Sequence, residues 1–209
     1  MKKTIVIAAF ALFAITSFAA ETNSTPEQIA SKYTVAIEGR TAGIMNVLDL
    51  SDLGKAAKVH DIVIAQYRAL NAWHNENDAK LKAAKGDTNM VVQIRASLKT
   101  IHNNFLSQLA ENLTPEQIEQ VKDKMTYGKV QFTFAGYVSQ YPNLSDENKA
   151  EILNMLKQAR EVAMDGGSAE EKTAIFTKCK GKINNYLSKQ GIHSEKHKAM
   201  SATNSVIPQ

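Results

Sequence analysis

One cysteine in 209 residues leaves no intramolecular disulfide to form, so Cys179 staples nothing and stability must come from a packed core. There are only four prolines and one tryptophan. Alternation of the strand kind is confined to Val130, Phe132 and Phe134, which argues against a sheet. Beyond the first twenty or so residues, no apolar run approaches the roughly 20 residues a membrane-spanning helix needs. Charge of one sign is also scarce: 25 Lys and Arg stand against 21 Asp and Glu, interleaved along the chain. That pattern excludes a nucleic-acid footprint. No nucleophile elbow, phosphate-binding glycine loop or zinc motif occurs. No cofactor is expected.

What is present begins with an address. Residues 1–19 have a basic start at Lys2 and Lys3, a short apolar run, and Ser17-Phe18-Ala19 as a small-x-small cleavage signal. A secretory signal peptide is the expectation. It implies a periplasmic or secreted protein with no membrane anchor after cleavage. Removal of the leader takes two lysines and lowers the formal charge from +4 to +2.

Helix starts are written clearly. Thr25-Pro26-Glu27-Gln28 and Thr114-Pro115-Glu116-Gln117 each place Thr at the N-cap, Pro at the first helical position and Gln where a capping box closes. Ser168-Ala169-Glu170-Glu171 is a third such box, and Ser51-Asp52 and Ser145-Asp146 are weaker ones. Between caps the apolar residues recur near every 3.6 positions, most plainly at Val91, Ile94, Leu98, Ile101, Phe105, Leu109 and Leu113. Gly86, Gly166-Gly167 and Gly191 stand where left-handed helix ends are expected. These signals predict an all-α bundle of five to seven helices over 20–192, followed by a disordered tail from 193. Cys179 falls on a helical stripe with Ile175, Phe176, Ile183, Tyr186 and Leu187, which reads as a buried, inert thiol.

One stretch departs from the pattern. Residues 125–144, MTYGKVQFTFAGYVSQYPNL, carry five aromatics, at Tyr127, Phe132, Phe134, Tyr137 and Tyr141. Gly128 and Pro142 bracket it, and Val130 to Phe134 look extended. The expectation is an irregular aromatic-rich interruption, with a short helix over Ala135 to Tyr141. Phe132 and Phe134 should plug the core, and the tyrosines should line a partly open groove.

The stretches QYRALNAWHNEND, LTPEQIEQVKDKMTYG, YPNLS, AREVAMDGGSAEEK and KGKINNYLSKQGI resemble, in the same order, a family of exported bacterial helical proteins catalogued as a domain of unknown function. Met125-Thr126-Tyr127-Gly128 and Lys180 to Tyr186 are the most specific pieces. The resemblance implies a carbohydrate context, with polysaccharide-degradation genes nearby and an oligosaccharide or polysaccharide as partner. It identifies no catalytic residue. Leu113-Thr114-x-x-Gln117 is also similar to the LTxxQ motif of Spy-like periplasmic chaperones, although the capping box explains the same residues.

The leading candidate site is a glycan-binding groove with Tyr127, Tyr137 and Tyr141 on one wall and Arg160, Asp165, Lys180, Asn184 and Tyr186 on the other. Asp165 sits at a helix C-terminus, an unfavourable place for an acid, so Arg160, Lys180 or Lys182 is expected to pair with it. Two adjacent Asn, one turn after Gly181, cost helix propensity and call for backbone or ligand partners. The enzyme alternative rests on Glu161 and Asp165, four apart on one helix face, as a glycosidic acid and base. His193 and His197 share a spacing of four without an acid or Cys to complete a metal set. His60, His74 and His102 read as surface or satisfied core histidines.

Overall fold

The computed structural model describes residues 25–193, so the leader over 1–19 and most of the tail, 194–209 with His197, lie outside the described residues. Seven α-helices follow one another: α1 (Pro26–Leu48), α2 (Leu53–Ala83), α3 (Thr88–Ala110), α4 (Pro115–Met125), α5 (Lys129–Gln140), α6 (Asp146–Met164) and α7 (Ala169–Lys189). Among the described residues there is no strand. Both TPEQ strings form complete capping boxes, with Thr25 and Thr114 accepting from the N3 backbone while Gln28 and Gln117 return the bond. Asp52, Asp87, Ser145 and Ser168 cap α2, α3, α6 and α7 by the same side-chain-to-backbone bond.

The helices bury two apolar cores. The first, built mainly by α1 to α4, collects Ile37, Ile44, Val59, Val63, Leu70, Trp73, Phe105, Leu109, Val121 and Met125. Trp73 is buried and its indole N–H donates to the Ser97 hydroxyl at 2.9 Å, which satisfies the polar edge of a core ring. The second, built by α5 to α7, collects Val130, Tyr137, Ile152, Leu156, Phe176, Cys179, Ile183 and Leu187. Cys179 is buried there as expected, its thiol directed at the Met155 carbonyl and its pKa pushed up by burial.

The chain passes from the first core to the second at Thr126-Tyr127-Gly128, where Tyr127 (φ 59°) and Gly128 (φ 64°) are both left-handed. Only Gly takes that region without a Cβ penalty, so Tyr127 is strained.

Two sequence expectations are corrected. The interruption is not irregular, because Val130 to Phe134 are helical and belong to α5. Val130, Phe134, Tyr137 and Tyr141 are spaced by four, three and four, a helical stripe that overrides the three-residue alternation. It follows that Phe132, which lies off the stripe, is 83% exposed rather than a core plug. The second correction concerns Gly166-Gly167. Gly86 and Gly191 take positive φ, but Gly166 and Gly167 do not. Their smallness serves close packing instead.

Candidate functional site

Where the two cores meet, Met164 of α6 packs into the first core and a polar seam runs beside it. Arg160 on α6 is 2% exposed and faces α4, where Glu119 and Asp123 stand four apart on one helical face. Its guanidinium donates to Asp123 at 2.6 Å and to Glu119 at 2.7 Å. Burial works to lower the Arg160 pKa, but those two carboxylates outweigh it and raise it. Beside this fork, Lys122 pairs with Glu161 at 3.0 Å, a second link from α4 to α6.

Asp165, at the C-terminus of α6, is the hub of the seam. Its carboxylate meets the His102 ring of α3 at 3.0 Å, and its carbonyl accepts from His74 of α2 at 2.7 Å. The second His74 nitrogen reaches the Asp78 carboxylate at 2.8 Å. With an acceptor at each nitrogen, the ring is suited to the doubly protonated form. Burial pulls the His74 pKa down, yet the bonds to Asp165 and Asp78 prevail and the net shift is upward. For His102 the bond to Asp165 is the largest cause of an upward shift, with Glu161 adding to it. Glu161 itself lies 3.8 Å from His102 Nε2.

Gly167 has a mechanical role here. A Cβ at that position would lie 2.7 Å from the His74 ring, closer than real side chains approach. A Cβ on Gly166 would lie 3.1 Å from Lys172 Cγ. Lys172 is a buried lysine whose ammonium donates to the carbonyls of Met125 at 3.0 Å and Met164 at 3.2 Å. Those residues end α4 and α6, so one cation serves two helix C-termini. Desolvation, aided by the nearby Arg40, lowers its pKa to about 8.

Alongside the seam runs a cleft of about 800 Å³ between α3 and the pair α6 and α7. Arg95, Leu98, Lys99 and His102 form one wall. Gln158, Glu161, Val162, Asp165, Glu171, Ile175, Lys178 and Lys182 contribute to the other. Its size is that of a small-molecule or short-oligomer site. Among the described residues, no group of three His, Cys, Asp or Glu is arranged to hold a metal ion.

The structure distributes the eight sequence-predicted residues over several places. Tyr137, Lys180 and Asn184 come together: the buried Tyr137 hydroxyl donates to Asn184 Oδ1 at 2.8 Å and lies 3.0 Å from the Lys180 carbonyl. Tyr141 stacks on Tyr137 with ring centroids 6.1 Å apart. Tyr186 donates to Asn148 at 2.7 Å. Tyr127 is half exposed at the crossing between cores, and Arg160 is turned towards α4. Only Asp165 of the eight lines the cleft, where Glu161 joins it. The expected partner of Asp165 is corrected as well, since His102 pairs with it and Arg160 is engaged elsewhere.

Sequence reasoning missed His74, His102 and Lys172 as members of this hub. The available signal was the dense constraint around Asp165: an acid at a helix end followed by two glycines requires a cation and a close neighbour.

Residues 34–203 match the family model described as "Protein of unknown function (DUF3826)". The chain belongs to that family. No curated protein sequence matches the chain. The all-α bundle is therefore the architecture of a DUF3826 member, and the family assignment carries no activity with it.

Proposed function

We propose that this DUF3826 protein is a non-catalytic, exported glycan-binding protein, accessory to polysaccharide utilisation, whose ligand occupies the cleft between α3 and the pair α6 and α7. The observation that carries the reading is the cleft itself. It lies between two cores, where ligand sites commonly form, and combines hydrogen-bonding side chains with the apolar patches of Leu98, Val162 and Ile175. Sugars present the same mixture of hydroxyls and C–H faces. The test is a glycan array and calorimetry on the purified protein with two variants. Val162→Trp, at a 55% exposed position on the cleft wall, fills the cleft and should weaken binding by about tenfold or more. Tyr137→Phe, which breaks the bond to Asn184, should leave affinity unchanged. Silence across neutral and acidic glycans, or loss in the second variant and not the first, would overturn the reading.

A second reading is favoured by one observation: Glu161 and Asp165 line the same cleft with His102 in contact with both. Glycan cleavage by this pair predicts hydrolysis that disappears in Glu161→Gln. Against it, Glu161 is held by Lys122 and lies 3.4 Å from Arg160, whereas a general acid needs surroundings that disfavour its anion. A Spy-like chaperone reading calls for an open apolar concavity, and seven Asp, Glu, Lys and Arg side chains line this cleft.

A further inference from the structure

The charges around the cleft are not balanced in what they leave for a ligand. Its three acids are already engaged within the protein. Glu161 accepts from Lys122 at 3.0 Å, Asp165 pairs with His102 at 3.0 Å, and Glu171 accepts the Gly167 backbone N–H at 2.8 Å. Its four cations, Arg95, Lys99, Lys178 and Lys182, are exposed and have no carboxylate partner among the described residues.

Those cations come from both sides of the opening. Arg95 and Lys99 are four apart on α3 and so share a face, as do Lys178 and Lys182 on α7. Two pairs without carboxylate partners therefore flank an opening in which Glu161 is turned to Lys122, Asp165 to His102 and Glu171 to the Gly167 amide. Walls of low dielectric focus such a field and raise the local concentration of the opposite charge.

Resting on the glycan-binding reading above, we propose that the ligand is an anionic oligosaccharide, one bearing carboxylate or sulfate groups along a hydroxylated chain. The two cationic pairs take successive charged groups, while Gln158 and the C–H-facing Val162 and Ile175 contact the ring between them. A neutral sugar would leave four lysine and arginine side chains without a partner and gain nothing from their field. Binding through exposed cations of this kind weakens as salt screens them.

Calorimetry on the purified protein separates the possibilities with three probes: a tetragalacturonate, its fully methyl-esterified counterpart, and a sulfated tetrasaccharide. The acid should bind at least about tenfold more tightly than the ester, a charge-assisted contact being enough for that ratio. Its affinity should fall on raising sodium chloride from 0.05 to 0.5 M, roughly from a 14 Å to a 4 Å screening length. Lys99→Gln combined with Lys178→Gln, both at exposed positions and with one cation of each pair kept, should shrink that preference severalfold and flatten its salt dependence. Comparable binding of the sulfated probe supports the proposal and shows that charge, not the carboxylate in particular, is recognised. Equal affinity for acid and ester, or binding of neutral glycans alone, overturns the anionic inference and leaves the glycan reading standing. No binding by any probe or by an array of neutral sugars overturns both.

Discussion

In the second core, Ile152, Leu156, Phe176 and Ile183 are packed against carbon and fully or almost fully buried. One turn beyond Leu156 on α6, Arg160 is almost as deeply buried and is held by two carboxylates. The core follows the non-directional rule that apolar area leaves water. The seam follows geometry, because a buried charge is tolerated only with its partners in place. Each core can absorb small changes by repacking, whereas the seam depends on named atoms from α2, α3 and α4 meeting Asp165 and Arg160 of α6.

The sharpest way to break this contrast is to remove the central cation. Arg160→Ala removes the two charge-assisted bonds to Glu119 and Asp123, leaves Glu119 only the more distant Lys122 and Lys157, opens a cavity, and should cost about 2 to 5 kcal/mol in urea denaturation. Leu156→Ala, fully buried in the second core, should cost about 2 to 5 kcal/mol by cavity formation. The two differ in kind: the arginine variant should alter the dependence of stability on salt and pH, while the leucine variant should lower it evenly. Next in size, Gly167→Ala forces a Cβ against the His74 ring and should cost about 1 to 3 kcal/mol by unfolding melts. An Ala at Gly181, where a Cβ meets nothing within 4 Å, should instead be neutral or stabilising.

The seam also predicts a pH signature that the cores lack. His74 and His102 have folded pKa values above their ordinary 6.5. The folded state therefore holds protons that the unfolded chain has released, and the stability gained is full below about 6.5 and lost as pH rises through the folded values. Chemical denaturation across pH 5 to 8 should show that decline. His102→Gln should flatten its share of the decline. Lys172 acts with the opposite sign, because its folded pKa of about 8 lies below the ordinary 10.5. Its charged form is disfavoured in the fold, so stability should recover as pH rises above about 8. The smallest effect belongs outside both regions: Phe132→Ser, at an 83% exposed position, should change stability by no more than about 0.5 kcal/mol.

Much of the fold was legible because it is encoded locally. The TPEQ boxes, the serine and aspartate caps and the period of α3 depend on neighbours three or four residues away, and each helix start is where those residues place it. The error at α5 arose from a short alternation that a longer stripe contradicts, and Gly128 offers no side-chain cap to announce the helix. The site was far less legible. His102 and Asp165 are 63 residues apart, and His74 and the Asp165 carbonyl are 91 apart. No local spacing encodes such a meeting. The need of Asp165 for a cation was readable from its place at a helix end, but which side chain arrives is decided by where the bundle brings His74 of α2 and His102 of α3.

The cleft as the seat of ligand binding is tested most directly by mapping backbone amide shifts of the labelled protein during titration with tetragalacturonate. The account predicts saturable shifts concentrated on residues 95–102 of α3 and on 158–182 across α6 and α7, with Tyr137 and Tyr141 unmoved. Shifts centred on α5, or none at any concentration of this acid or of a neutral glycan, would contradict it.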